Sequence, residues 1–265
     1  MIKKGIFSDL KSETEYDTFG SKIDKDLGMW KLNFVKSDDG GKTIREIGRV
    51  SIPIGMAKTV ARQILSSDYV EEDKNDWNDY LRKTKMSGPS DLLIKTIGLL
   101  EGRSVKVLDL GCGNCVDTEY LLQQGFSAVA VDSSNVSLEC IKKLSQEKLF
   151  FVNDVIENYL FPKDNFDLVN AQWVLPYIQK EHFQRVFKEI LSSMKKGGFF
   201  TGQLLGRKDD LAFSNIKTMN FLSKNEIKDL LKSMELFELR EEEYDKKRDD
   251  GSLRHVHVFH IIFRS

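Results

Sequence analysis

Two glycines one residue apart, Gly111 and Gly113, stand between an acid two positions upstream, Asp109, and further acids downstream at Asp117 and Asp132. Glycine lets backbone approach a ligand where a Cβ would collide, and a helix starting after such a turn offers unpaired N–H groups. The turn therefore suits a nucleotide-like ligand, and the acids narrow the kind. A carboxylate at Asp109 is badly placed against a diphosphate but well placed to hold a cationic amino group. A dinucleotide turn, G-x-G-x-x-G, also asks for a glycine where this chain has Val116. Asp132 follows Gly113 by nineteen positions, near the ~20-residue spacing at which an acid closing the second strand takes ribose hydroxyls.

Cys112 and Cys115 form a C-x-x-C inside the same turn. Zinc asks for about four ligands and no second pair of this kind exists, so the two are expected to fill the turn; a redox pair is the alternative. The three cysteines, odd in number, suit a reducing compartment better than a disulfide framework. Three of the four histidines lie in H-V-H-V-F-H, where a period of two puts His255 and His257 on one strand face and His260 on the other.

The elements that must position these groups follow from pattern. Val105–Leu110 is a near-continuous apolar run, as expected of a central parallel strand covered on both faces. Helical spacing begins at Val116 and stops at Gly125. Ser127–Asp132, Leu149–Val152, Phe166–Trp173 and Phe199–Leu205 read as further strands, and Ser133–Glu147 and Glu181–Met194 as helices between them. Ser90 or Ser87 is expected to cap the helix that leads into the first strand, and Ser223 with Glu226 makes a capping box for the last. Two strands, Glu235–Asp245 and His255–Arg264, close the chain. Ahead of all this, residues 1–70 form an extension with a β-hairpin, Met29–Val35 and Thr43–Pro53, then a helix from Ile54 to Leu65. A unit of that size is expected to pack on the main domain or on another copy, making a homo-oligomer through the extension possible; its function is open. The charged run 71–76 marks the boundary with the main domain, 71–265.

With 265 residues, 31% of them charged but nearly balanced at net -1, the chain lacks the basic excess of a nucleic-acid binder. No apolar run approaches the roughly 18–20 residues that span a bilayer, and nothing like a signal peptide follows Lys3-Lys4, so a cytoplasmic protein without membrane partners is expected.

D-L-G-C-G at 109–113 resembles the first motif of S-adenosylmethionine-dependent methyltransferases, with Cys115 in place of the last glycine of D-x-G-x-G-x-G. The turn with Asp117-Thr118, N-A-Q-W-V-L-P-Y, K-K-G-G-F-F-T-G-Q-L-L-G, M-N-F-L-S-K-N-E-I and the closing H-V-H-V-F-H look like bacterial methyltransferases of the tellurite-resistance type. The resemblance, over about Trp77 to Ser265, implies a Rossmann-like α/β fold: seven strands, mostly parallel, the last antiparallel, with helices on both faces. It implies S-adenosyl-L-methionine as cofactor and a small-molecule methyl acceptor. The cofactor would be held by Asp109, Gly111, Cys112, Gly113 and Asp117 at the turn, by Asp132 and Ser133 at the ribose, and by Asp154 and Val155 at the adenine. Gln172 and Trp173 would stand near the sulfonium, and Tyr80 and Arg82 would help close the site. No catalytic residue is assigned; Tyr177, Gln172, Gln203 or a terminal histidine would orient the acceptor. The rival functions are a nicotinamide-dependent oxidoreductase on a related sheet and a cofactor-binding module that has lost transfer.

Overall fold

The computed structural model describes residues 18–24, 29–37, 44–53, 81, 88–100, 105–213, 218–247 and 251–265, the first three stretches as backbone. The chain divides into two compact units, residues 1–71 and 72–265. The first holds a three-stranded antiparallel sheet in the order β1-β2-β3: β1 Thr18–Asp24, β2 Met29–Ser37 and β3 Ile44–Pro53. The expected hairpin is β2 and β3; β1 carries too little apolar alternation to be read from sequence. The expected helix after Pro53, the charged boundary 71–76, Tyr80 and Arg82 lie outside the described residues.

The second unit is built on β4, Lys106–Leu110, with Val107 through Leu110 all buried as a strand covered on both faces requires. It pairs in parallel with β5, Ser127–Val131, and with β7, Phe166–Ala171. β6, Leu149–Val152, extends the sheet beyond β5, and β8, Met194–Gly206, beyond β7. β11, Leu253–Arg264, runs antiparallel against β8, and β10, Glu235–Lys247, pairs antiparallel outside it. The order is β10-β11-β8-β7-β4-β5-β6, the expected mixed seven-stranded sheet, with a two-residue β9, Phe221–Leu222, added on β8.

Helices connect these strands: α1 Asp91–Ile97, α2 Val116–Gln123, α3 Asn135–Ile141, α4 Lys180–Ser193 and α5 Lys224–Leu230. α4 buries Phe183, Val186, Phe187 and Ile190, one stripe at helical spacing, each contributing about 1.5–3 kcal/mol of burial. Phe187 meets Phe200 of β8 edge-on, and Phe200 stacks on Phe263 of β11, so an aromatic column crosses the sheet. α5 begins with the expected capping box, Ser223 and Glu226 each bonded to the other's backbone. β10 is the outermost strand and largely exposed.

Several boundaries differ. α3 starts two residues after the expected Ser133 because Ser134 is its N-cap, and it ends at Ile141, not Glu147. β8 follows α4 directly at Met194, so Lys195 to Gly198 belong to the strand, Gly197 taking a left-handed φ of 76°. Ser90 stands at the cap position of α1 but makes no side-chain cap bond; its hydroxyl is taken elsewhere. Among the described residues, no helix is long and apolar enough to cross a membrane.

Candidate functional site

The turn after β4 closes over the carboxyl ends of the parallel strands, where the strand order reverses between β4 and β7. Gly111 has φ 68° and Gly113 φ 52°, in the left-handed region. A Cβ on Gly111 would come within 2.5 Å of Val174 Cγ2, so glycine there is a packing requirement as well as a conformational one. The turn is anchored to its neighbours: Gly111 N–H donates to Val131 O at 2.7 Å, Gly113 N–H to Asp132 Oδ2 at 2.9 Å, and Ser137 Oγ to Gly113 O at 2.6 Å.

Beneath the turn lies a buried polar network. Asp109 is 1% exposed; its Oδ2 accepts from Thr118 Oγ1 at 2.5 Å and its Oδ1 from Asn170 Nδ2 at 2.8 Å. The same Asn170 Nδ2 reaches Asp117 Oδ2 at 3.2 Å, and Ser90 N–H donates to Asp117 Oδ1 at 2.8 Å. Gln172 Nε2 donates to Asn170 Oδ1, while Gln172 Oε1 accepts from Ser90 Oγ and Gln203 Nε2, at 2.7 to 2.8 Å. Gln203 Oε1 accepts the Trp173 N–H at 2.8 Å, carrying the chain of bonds across to β8. A satisfied network in a low-dielectric interior is rigid, and it fixes how the strand ends meet.

Burial, with the neighbouring charge of Asp117 second, pushes the Asp109 carboxyl up to about 7. Burial likewise raises Asp117 and holds the Cys112 thiol well above its usual range. Cys112 is a buried free thiol.

Of the residues singled out in the sequence, Asp109, Asp117 and Gln172 are joined through Asn170, and Gly113 is bonded to Asp132. Asp109 supports the turn from below and presents almost no surface. Both Asp132 oxygens are engaged, by Gly113 N–H and by Ser134 N–H at 2.7 Å, and each keeps a lone pair for a further donor. Ser133 stands beside it, half-buried. Just past β6, Val155 N–H turns back to Asp154 Oδ1 at 2.8 Å, and Asn158 Nδ2 of the following 3-10 turn donates to the same oxygen at 3.1 Å. Trp173 was expected at the end of its strand or in the core; it lies beyond β7, 41% exposed, with φ 58°, a conformation bulky residues rarely adopt. Its ring meets His260 of β11 edge-on at 6.3 Å. Asn170 and Ser137 were not singled out from sequence; a polar residue inside the apolar run of β7 was the available sign.

Cys115 pairs with Cys140 of α3, Cα atoms 6.2 Å apart, and not with Cys112. This corrects the expectation, from their odd number, of a set of reduced thiols: Cys115 of the turn and Cys140 of α3 belong to one apolar cluster with Ala128, Ala130 and Ile141, which brings the two sulfurs together.

His255 and His257 share a strand face, as the period of two requires, and Glu241, Glu243 and His257 come close enough to suggest a metal. The hydrogen bonds give these groups other partners. Lys208 N–H donates to His257 Nδ1 at 3.1 Å, so the ring hydrogen sits on Nε2 and points at Glu241 Oε1, 3.0 Å away. Glu241 and Glu243 are further paired with Lys224 and Lys208. A cavity of about 390 Å³ at Lys195 to Phe199 and Arg264 lies apart from the turn; Lys195 and Arg264 are already paired, with Asp167 and Glu235.

Comparison with known proteins bears on the region just described. Residues 107–198 match the methyltransferase domain family. A curated relative, an uncharacterized methyltransferase of Synechocystis sp., is 32% identical over 95 residues, 36% of this chain and 44% of its own length, so less than half of that relative is spanned. Among solved structures, TehB from Haemophilus influenzae superposes with a TM-score of 0.58 at 16% identity, covering 94% of this chain and 92% of its own. A SAM-dependent methyltransferase from Methanosarcina mazei gives 0.50 at 18% identity, covering 64% and 96%. Residues 107–198 are thus similar to a methyltransferase domain, and the fold around them is the one seen in S-adenosylmethionine-dependent methyltransferases.

Proposed function

We propose that the chain is an S-adenosylmethionine-dependent methyltransferase acting on a small-molecule acceptor. The observation that carries this is the set of carboxylates at the glycine turn: Asp109 below it, Asp117 in the first turn of α2 and Asp132 bonded to its Gly113 N–H. Charge of that sign opposes a diphosphate, whose usual seat is a helix N-terminus free of acids. It suits a ligand with a cationic amino group, a sulfonium and ribose hydroxyls. Asp132, which closes β5 and is bonded to the Gly113 N–H, supplies an acceptor set for ribose hydroxyls, so the residues present fit the cofactor.

The cofactor, when bound, supplies an electrophilic methyl group on sulfur. The protein's part is binding and orientation. Asp109 braces the turn from beneath through Thr118 and Asn170, and the Gly111–Gly113 backbone holds the methionine end. Asp132 accepts from ribose hydroxyls with its remaining lone pairs. Asp154 serves the adenine; Val155 N–H joins it when its bond to the Asp154 carboxylate opens. Gln172 and Trp173 wall the space at the end of β7, with Gln203 and His260 beside them. Holding acceptor and methyl in line supplies much of the acceleration. A thiol-like acceptor then needs no protein base, whereas a hydroxyl or amine acceptor does. The overlap with TehB along 94% of this chain fits the tellurite-resistance subgroup suggested by the sequence strings.

Calorimetric titration with S-adenosylmethionine tests the proposal: saturable binding is expected, and no binding at millimolar cofactor sinks it. Asp132→Ala is expected to weaken affinity by tenfold or more, about 1.4 kcal/mol; unchanged affinity would remove Asp132 from the ribose site.

A further inference from the structure

The turn that holds the ligand carries a second chemical group of its own. Cys115 is the N-cap of α2 with φ 65°, a non-glycine residue in the left-handed region where such a turn ordinarily has glycine. It is 2% exposed, and its sulfur is bonded to that of Cys140, twenty-five residues on and half-buried in α3. The loop this bridge closes contains Asp132, Ser133 and Ser134. Two hydrogen bonds run parallel to it, from Gly113 N–H to Asp132 and from Ser137 Oγ to Gly113 O. The bridge thus joins the glycine turn to the segment that follows β5 alongside these hydrogen bonds, and it is the only covalent tie between them among the described residues.

We propose that Cys115 and Cys140 form a reversible thiol–disulfide site, acted on by low-molecular-weight disulfides of the glutathione type, whose bridged state holds the turn in its ligand-ready shape. The inference rests on the proposed cofactor reading of that turn. The physical reason is strain. Without the bridge, a cysteine at a positive φ relaxes toward the ordinary region and takes the start of α2 with it. Gly113 N–H then loses its aim on Asp132. With the bridge, the turn and the ribose acid are preorganised, which lowers the ordering cost of binding.

The chemistry balances. The thiolate of Cys140, the more exposed partner, attacks one sulfur of oxidised glutathione; that S–S bond breaks, and one glutathione leaves as thiolate. The thiolate of Cys115 then displaces the second glutathione from the mixed disulfide. Two protein thiols are oxidised, one glutathione disulfide is reduced to two thiols, and the two protons released by the protein end on glutathione. A thiol reductant reverses both steps. Cys112 takes no part, being buried and unpaired beside the pair.

The test uses the full chain equilibrated at several ratios of reduced to oxidised glutathione. Peptide mapping without reductant follows the bridge, and calorimetry follows binding of S-adenosylhomocysteine, which is not turned over. The cross-linked 115–140 peptide is expected to grow with oxidant, and affinity to rise with it by about fivefold, an effect of preorganisation. Cys140→Ser should bind like the reduced protein at every ratio. Cys115→Gly, which takes the same φ without strain, should bind tightly at every ratio. No cross-link at any ratio, or equal affinity in both states, overturns the proposal. If neither state binds the cofactor compound, the proposed function has failed, and amide exchange over residues 111–118 decides: slower exchange in the bridged protein supports the switch, equal exchange overturns it.

Discussion

Asn170 Nδ2 lies 2.8 Å from Asp109 Oδ1, and the two residues are register partners on the adjacent parallel strands β7 and β4. The same nitrogen touches Asp117, so one amide group holds two buried acids at the foot of the glycine turn. Asn170→Leu keeps roughly the volume and deletes the donor. It is expected to lower the free energy of unfolding by about 2–3 kcal/mol, the cost of leaving buried acceptors without a partner. Urea denaturation measures this; a change below about 0.5 kcal/mol would mean that solvent reaches both carboxyls.

The raised Asp109 carboxyl makes stability depend on pH, and the sign is fixed. Its ordinary value is 3.8 and its folded value about 7, so between these the folded state keeps a proton that the unfolded state has lost. The group's contribution is fully present below pH 3.8, falls as pH rises, and stops changing above about 7. Between pH 5 and pH 8 the wild type should therefore lose stability relative to Asp109→Asn, by on the order of 2 kcal/mol. Denaturation of both proteins at the two pH values gives the difference; parallel curves would refute it.

Gly111→Ala sets a Cβ against Val174 at 2.5 Å and a side chain on a φ of 68°. Loss of about 1–3 kcal/mol and of cofactor affinity is expected. Adding Val174→Ala clears the clash but leaves the backbone strain, so thermal melts should show partial recovery. Full recovery would mean that only space mattered there.

Phe187→Ala opens a void between α4 and β8 far from the turn. It should cost about 3–5 kcal/mol while leaving the dissociation constant for the cofactor unchanged in the folded protein. A weakened affinity would show that the aromatic column also positions the strand ends.

The parts of this molecule encoded by neighbours in sequence were legible in advance. The strand, glycine turn and helix at 105–123 are one local pattern, and the capping box of Ser223 and Glu226 needs only three intervening bonds of helix. What depends on register or on packing between distant segments was not. Asn170 bridges two acids only because β7 lies beside β4 in one register, and Cys115 finds Cys140 only once the turn and α3 meet in one apolar cluster. Ser90 shows the competition directly: the expected local cap bond is given up for Gln172, eighty-two residues away, and its backbone N–H goes to Asp117. Trp173 left its strand because its N–H is taken by the Gln203 side chain in place of the strand ladder.

β10 ends the sheet with a row of alternating carboxylates on one face, Glu241, Glu243 and Asp245, tied to His257, His255, Lys208 and Lys224. A foreign strand laid along that edge would have to pull these charges from water and from each other before gaining any backbone bond. The open β10 flank of the sheet is in this way made a poor template for a further strand.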